Sequence, residues 1–324
     1  LHGLHVGYDK AVQIKEWVEF PESEVFPMMV KEYQTPAGIL RTEVRQTSDW
    51  RWGDHVPFLD DYIIPRARKL LVTGIEDLSA FQYLLSSPTG EEIADFQTQA
   101  KSALEQAHKH GLAVAGGWGV GADLIGWVAG FENIIYATFD QPEYVRELLE
   151  MIGRWNRKRM EVVLDAGVDL FIKRAWYENC DFWTPATWKN FLLPELEADV
   201  DLAHQAGAKF GYIITSNAMP LLEMIAGAGV DVVIGVDPQE WNLEQTRQQL
   251  GGECCLWGGV NGHLTVEMGS PDDVELEVEQ AMKILAPGGG FILSPVDNVR
   301  QDTPTAQRNT DILIDMWKRL RGKL

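Results

Sequence analysis

Apolar positions along this chain follow two different periods. Six short runs are apolar almost throughout: residues 112–117, 168–172, 210–214, 230–235, 254–258 and 290–293. A half-wet antiparallel strand would alternate, so these runs read as parallel strands covered on both faces. Four of them follow directly on a helix-closing glycine, at His110-Gly111, Ala166-Gly167, Ala206-Gly207 and Ala228-Gly229. Glycine takes the left-handed dihedrals that end a helix and turn the chain back. A seventh candidate, Ala11 to Val18, alternates through Val12, Ile14 and Glu16.

Between the runs the period lengthens to that of a helix. Glu91 to His110 sets Ile93, Phe96, Ala100, Leu104 and Ala107 on one stripe. Asp140 is placed to cap a helix opening at Pro142, with Val145, Leu148, Leu149, Ile152 and Trp155 on its apolar side. Ser270, Pro271 and Asp273 make a helix start with a capping acid, and Val274, Leu276, Val278, Ala281, Met282 and Leu285 supply its buried face. A last helix over 305–321 buries Ile312, Leu313, Met316 and Leu320.

The repeated order of strand and helix predicts an α/β fold. Seven strands, with an eighth unplaced, favour a TIM-type (β/α)8 barrel over a doubly wound sheet. No G-x-G-x-x-G follows a predicted strand, and Trp118-Gly119-Val120-Gly121 lacks the third glycine at the required spacing. The expectation is a single barrel domain over 1–324, and the non-methionine start at Leu1 leaves room for a longer N-terminus. Residues 19–88 differ in texture, being rich in proline and aromatics. Thr35-Pro36-Ala37-Gly38 reads as the turn between extended stretches 28–33 and 39–44. This long early segment is read as an excursion over the barrel mouth. Its Trp50, Trp52, His55 and Phe58 either line a substrate cleft or pack the loop down.

Charge narrows the partners. Twenty-eight Lys and Arg face 48 Asp and Glu, a net charge of −20. A general nucleic-acid surface needs the opposite sign, and an anionic membrane repels this one. No run of eighteen apolar residues exists, and the first ten residues lack the pattern of a signal peptide. Three cysteines make no disulfide framework, so the expected location is a reducing cytoplasm. One of the adjacent Cys254 and Cys255 should face the helices, and both serve as small apolar residues. Pro287-Gly288-Gly289-Gly290 precedes a strand and reads as a turn at the bottom of the barrel.

Barrel enzymes carry their chemistry at the C-terminal ends of the strands. That rule selects Trp118, then Lys173 and Arg174 with Tyr177 and Glu178, then Thr215, Ser216 and Asn217. Asp237 and Glu240 follow the next strand, then Asn261 and His263, then Asp297 and Asn298. Catalytic candidates are the carboxylates Asp237, Glu178 and Asp297, because a carboxyl held in a dry pocket has a raised pKa and works as an acid or base near neutrality. Candidates for binding substrate are Trp118, Arg174, Tyr177, Asn217, Asn261 and His263. Only one of Lys173 and Arg174 can face inward, since successive strand residues alternate. Bland roles compete: Asp237 and Asn217 as helix caps, Asp297 as a loop-structuring residue, His263 as loop surface.

Several blocks resemble the superfamily of uroporphyrinogen decarboxylase and the cobalamin-linked methyltransferases. They are Gly235-Val236-Asp237-Pro238, Leu256-Trp257-Gly258-Gly259-Val260-Asn261, Gly269-Ser270-Pro271, Pro287-Gly288-Gly289-Gly290-Phe291-Ile292-Leu293 and Asp302-Thr303-Pro304. The stretch 213–222 and the stretch 177–194 fit as well, while Gly7-Tyr8-Asp9 and Thr35-Pro36-Ala37-Gly38 look closer to the methyltransferase side. The resemblance implies the barrel and a small-molecule substrate. It points first to a methyltransferase passing a methyl group, such as that of a methyl ether, to a Co(I) corrinoid on a partner protein. A tetrapyrrole decarboxylase is the second reading, and a divergent lyase or noncatalytic binding barrel the third. Zinc-dependent members carry His-x-Cys after one strand and a cysteine after the last. The corresponding positions here are Ile213, Thr215 and Asp297, so the resemblance leaves zinc without its usual ligands and implies no tightly bound organic cofactor. A homodimer is expected wherever an exposed apolar patch exists.

Overall fold

The computed structural model describes residues 1–4 and 6–322, with the side chain of Trp118 left aside. The chain divides into two compact units, residues 1–168 and 169–324.

The first unit opens with an antiparallel sheet in the order β1 (Gln13–Glu19), β2 (Met28–Thr35), β3 (Gly38–Arg45) and β4 (Ala67–Lys69). Thr35 and Gly38 close the predicted turn: the Thr35 hydroxyl accepts from the Ala37 amide at 3.1 Å and donates to the Gly38 carbonyl at 2.9 Å. The seventh strand candidate is therefore real but belongs here, running antiparallel to β2 and not within the parallel set. Its charged alternate positions were the signal of a half-wet sheet. Met29, Val44, Trp50, Val56 and Ile63 form the core beneath it, so Trp50 serves packing.

Helices α1 (Leu78–Phe81), α2 (Gly90–Lys109), α3 (Ala122–Ala129), α4 (Phe131–Asp140) and α5 (Pro142–Asp165) complete the unit, with strand β5 (Ala115–Val120) between α2 and α3. Thr89 and Glu92 form a capping box at the start of α2, which buries Phe96, Ala100 and Leu104 as its period predicts. Asp140 does not cap α5. It is the last residue of α4, and only Gln141, with φ −140° and ψ 56°, breaks the two helices apart.

The second unit is an array of five parallel strands in the order β10-β9-β8-β7-β6: β6 (Leu170–Arg174), β7 (Lys209–Ile213), β8 (Val232–Val236), β9 (Cys255–Asn261) and β10 (Phe291–Val296). Helices α6 (Pro185–Phe191), α7 (Leu193–Gln205), α8 (Leu222–Gly227), α9 (Leu243–Leu250), α10 (Pro271–Leu285) and α11 (Pro304–Leu320) connect and cover them. Ser270 and Asp273 form the expected capping box on α10. Val274, Val278 and Met282 of α10 join Val260 of β9 and Leu313 and Met316 of α11 in one core. Leu276, assigned to that face from the sequence, is 55% exposed. It lies two residues from both Val274 and Val278, which on a helix turns it well away from them.

Strand register separates two rows of side chains. Lys173, Tyr212, Val233, Leu256 and Phe291 are paired neighbours across the five strands. The first four of these are buried, and Phe291 packs on the α10 core. One residue further along each strand lie Arg174, Ile213, Ile234, Trp257 and Ile292, paired in the same order. Successive residues point to opposite faces, so this second row lies on the face away from the helices. All five of its members keep part of their surface open.

Candidate active site at the C-terminal ends of the strands

Asp237 leaves the end of β8 and turns at once. Its Oδ1 accepts the Gln239 amide at 2.9 Å, and its carbonyl accepts the amides of Glu240 and Trp241. This is an Asx turn, not the cap of the next helix, which belongs to Asn242. On the adjacent strand, Asn261 ends β9 and donates from Nδ2 to Asp237 Oδ2 at 2.8 Å. The Asn261 Oδ1 is occupied from the other side by the Leu264 amide at 2.6 Å, which starts the helical turn Gly262–Glu267. With its oxygen engaged, the amide must present its NH2 to Asp237.

Behind this pair sits Glu277 of α10. It accepts the Asn261 backbone amide at 2.9 Å and the Gln239 side chain at 2.6 Å. Glu277 was not among the sequence candidates, yet its signal was present: an acid three residues after Val274 and four before Ala281, on the buried stripe of α10. Burial pushes the Asp237 carboxyl above its ordinary range, and the Glu277 and Asp297 carboxylates push it further. The donations from Gln239 and Asn261 pull the other way without cancelling the rise. A buried carboxyl with a raised pKa is a candidate general acid.

Asp297 stands at the end of β10, exposed, with a φ of 63° that is unusual for a residue with a side chain. Gly262 makes room for it: a Cβ there would lie 2.5 Å from the Val296 carbonyl oxygen and 3.0 Å from that of Asp297. His263, half-buried, begins the helical turn instead of lying in a loop, and its Nδ1 lies 3.5 Å from Glu267. The Arg300 amide holds the Glu267 carboxyl below its usual range against the effect of burial, and His263 adds to the effect.

Glu178 belongs to a different group. The Tyr212 hydroxyl donates to it, and Lys173, the neighbour of Tyr212 in the buried row, makes an ion pair with Asp199 of α7 at 2.8 Å. Burial disfavours the Lys173 charge, but the Asp199 and Glu178 carboxylates outweigh it, and the ammonium is held above the usual lysine range. These four groups lie on the helix side of the sheet. Of the adjacent Lys173 and Arg174, the lysine faces the helices and the arginine the opposite side, where its guanidinium stacks on Trp176 at 3.9 Å. Tyr177 sits edge-on to Phe182 at 5.4 Å, and its carbonyl accepts from Trp183. Asn217 is exposed, in the turn after β7, where its carbonyl accepts the Cys180 amide. Trp118 lies on β5 of the first unit, and its side chain is outside the described residues. The structure thus joins Asp237, Asn261 and Asp297 in one electrostatic group and leaves Glu178 in another.

Among the described residues, no three His, Cys, Asp or Glu side chains converge as metal ligands would. Ile213 lies in the open row of the sheet and Thr215 two residues on, so the side chains present do not fit a zinc centre. Also among the described residues, no helix is long and apolar enough to cross a membrane.

The family model for uroporphyrinogen decarboxylase matches residues 53–319. The chain belongs to the uroporphyrinogen decarboxylase family. The fold of this family is a TIM-type barrel, and the parallel strands with their covering helices belong to it. A solved methyltransferase from Methanosarcina mazei shares the fold with a TM-score of 0.56 at 17% identity. The match covers 65% of this chain and 59% of that one, so the chain spans less than two thirds of its neighbour's length. A weaker likeness is to the 3-keto-D-glucoside 4-epimerase YcjR of E. coli, at a TM-score of 0.40 and 13% identity over 82% of this chain and 97% of that one. No curated protein sequence matches the chain. For a uroporphyrinogen decarboxylase family member, Asp237 and Asn261 occupy the end of the strands where barrels place chemistry.

Proposed function

We propose that this protein moves a methyl group from a small methyl ether to a Co(I) corrinoid carried by a partner protein. Family membership and the shared fold support a methyltransferase-like or decarboxylase-like activity. The observation that carries the finer reading is the buried Asp237 carboxyl, raised above its ordinary range by burial and held by Asn261 at a strand end. An ether oxygen is a poor leaving group until it is protonated. As the methyl carbon leaves, the pair from the C–O bond stays on oxygen, the Asp237 proton neutralises it, and the methyl group passes to the corrinoid acceptor. Asp237 then regains its proton from water. General acid catalysis of this kind contributes about 10²–10⁴-fold. Asn261 fixes the acid in place, and Glu277 and Asp297 add to the burial that raises the Asp237 carboxyl above its ordinary range.

The open row of the sheet favours this reading over a tetrapyrrole decarboxylase. A polycarboxylate needs several cations, whereas Ile213, Ile234, Trp257 and Ile292 are apolar and Arg174 alone in that row is charged. The test is incubation with reduced corrinoid, candidate corrinoid domains and a panel of methyl ethers, following methylation of the corrinoid by its absorbance. Transfer that Asp237→Asn reduces by about 100-fold or more is the expected result. Absence of transfer across the panel, with release of carbon dioxide from a tetrapyrrole carboxylate, would replace this reading by the decarboxylase.

A further inference from the structure

Strand β8 gains a residue on its neighbour just before the strand-end site. Ile234 pairs with Trp257 and Val236 with Gly258, so two steps along β8 match one step along β9. Gly235 is the extra residue, and the two strands are parallel, a setting in which such bulges are rare. The bulged backbone needs glycine there. Its φ is 114°, and a Cβ would lie 2.3 Å from the Ile214 carbonyl oxygen and 2.9 Å from Thr215 Cγ2. The bulge decides which side each later residue takes, because side chains alternate along a strand. In an unbroken ladder Ile234 and Val236 would share the open row, and Asp237 would turn towards the helices. With the extra residue the alternation slips by one. Val236 falls opposite Gly258, in step with Leu256 and Val260 of β9, and is fully buried. Val260 packs in the core under α10 and α11. Asp237 then takes the other side, in step with Trp257 and Asn261, and its carboxyl meets Asn261 Nδ2 at 2.8 Å.

We propose that Gly235 is a positioning residue, whose bulge turns the Asp237 carboxyl from the helix side of the sheet to the side of the open row. The role rests on the reading of Asp237 as the acid. Bulges beside active sites serve to re-aim a side chain, and here the re-aimed group is the one with the raised pKa. A direct consequence concerns the substrate. The methyl ether must present its oxygen from the face of Ile213, Ile234 and Trp257, which are paired neighbours in the open row. In a straight ladder the same carboxyl would turn towards α10, which carries Glu277, and away from a ligand lying on that row.

Replacement and deletion of Gly235 carry opposite expectations. Gly235→Val suits a straight ladder, so it removes the bulge and turns Asp237 off the open row. Deletion of Gly235 also straightens the ladder, but it leaves Val236 opposite Gly258 and Asp237 on the open side. A glycine needed only for its fit would suffer at least as much from deletion as from replacement; a residue that shifts the alternation reverses that order. Two readouts are taken on the full chain, with folding followed by thermal unfolding. The first is the coupling of Asp237 to Asn261, measured as the shift that Asn261→Ala causes in the Asp237 titration by carbon-13 NMR. The parent and the deletion should show the shift, and Gly235→Val should not. The second is methyl transfer to reduced corrinoid, which Gly235→Val should lower by about 100-fold or more and the deletion by less than about tenfold. If no methyl ether is a substrate, the proposed function falls, and the coupling still decides on the bulge. A deletion as harmful as the replacement, in folding, coupling or transfer, overturns the inference. So does a Gly235→Val chain that keeps both the coupling and the transfer.

Discussion

Replacing Asn261 by alanine tests the site at the point where its stability and its chemistry meet. The side chain makes two bonds, one to Asp237 at 2.8 Å and one from the Leu264 amide at 2.6 Å. Loss of the second removes the cap of a helical turn, worth about 1 kcal/mol. Loss of the first leaves a buried carboxyl oxygen without its donor, worth about 1–3 kcal/mol. The sum, about 2–4 kcal/mol, corresponds to a fall in Tm of roughly 5–15 °C for a unit of this size. The pH dependence gives the sharper signature. Asp237 has a raised pKa in the folded chain, so its contribution to stability is complete below the unfolded value and is lost as pH rises through the folded one. Asn261 supports the ionised form. Its removal should therefore raise the Asp237 pKa further and cost more at pH 7 than in acid. In the kcat/KM profile for methyl transfer, the limb that falls as Asp237 ionises should move to higher pH. Thermal unfolding at two pH values and a pH–rate profile measure both effects. A limb that stays in place or moves to lower pH would refute the assignment of the acid to Asp237.

Three further substitutions probe what surrounds the site. Lys173→Met removes one member of the buried ion pair with Asp199 and should cost about 3–5 kcal/mol by chemical denaturation, while adding Asp199→Leu should recover most of it. Gly262→Ala drives a Cβ to 2.5 Å from the Val296 carbonyl and should destabilise by about 1–3 kcal/mol, lowering activity by moving the Asp297 backbone. Ser270→Ala removes the α10 capping box and should cost about 1 kcal/mol in Tm-derived stability with methyl transfer unchanged.

The parallel strands were legible because their runs are apolar almost throughout and most of them follow a helix-closing glycine, both purely local signals. β6 to β10 fall within a few residues of the runs at 168–172, 210–214, 230–235, 254–258 and 290–293. Local signals failed where the partner decides. The stretch 11–18 is counted with the parallel runs from its sequence although its charged alternate positions differ from theirs, and its pairing with β2 places it in the antiparallel sheet. The pairing of Asp237 with Asn261 was visible only as two polar residues after two strands; the contact depends on β8 and β9 being neighbours. Glu277 escaped notice for a related reason. An acid on an apolar stripe looks like a flaw in the pattern until the amide it accepts, that of Asn261, is known to lie above it.

Strand alternation explains why polar residues of similar appearance separate into structure and chemistry. Lys173 and Arg174 are adjacent cations, yet one neutralises Asp199 under α7 while the other faces away from the helices. Tyr212 and Ile213 divide in the same way, the tyrosine binding Glu178 and the isoleucine lining the open row. A buried ion pair contributes little net stability over an apolar pair of the same size, but it is costly to break. The Lys173 group therefore acts as a fixed point for the start of the segment that carries Arg174, Trp176 and Tyr177. Asp237 differs in the balance of its surroundings. Its nearest charges are carboxylates, not cations, so burial raises its pKa unopposed by any ion pair. The same desolvation that Lys173 overcomes by pairing is what raises the Asp237 carboxyl, and the proposed role of Asp237 as the acid draws on that rise.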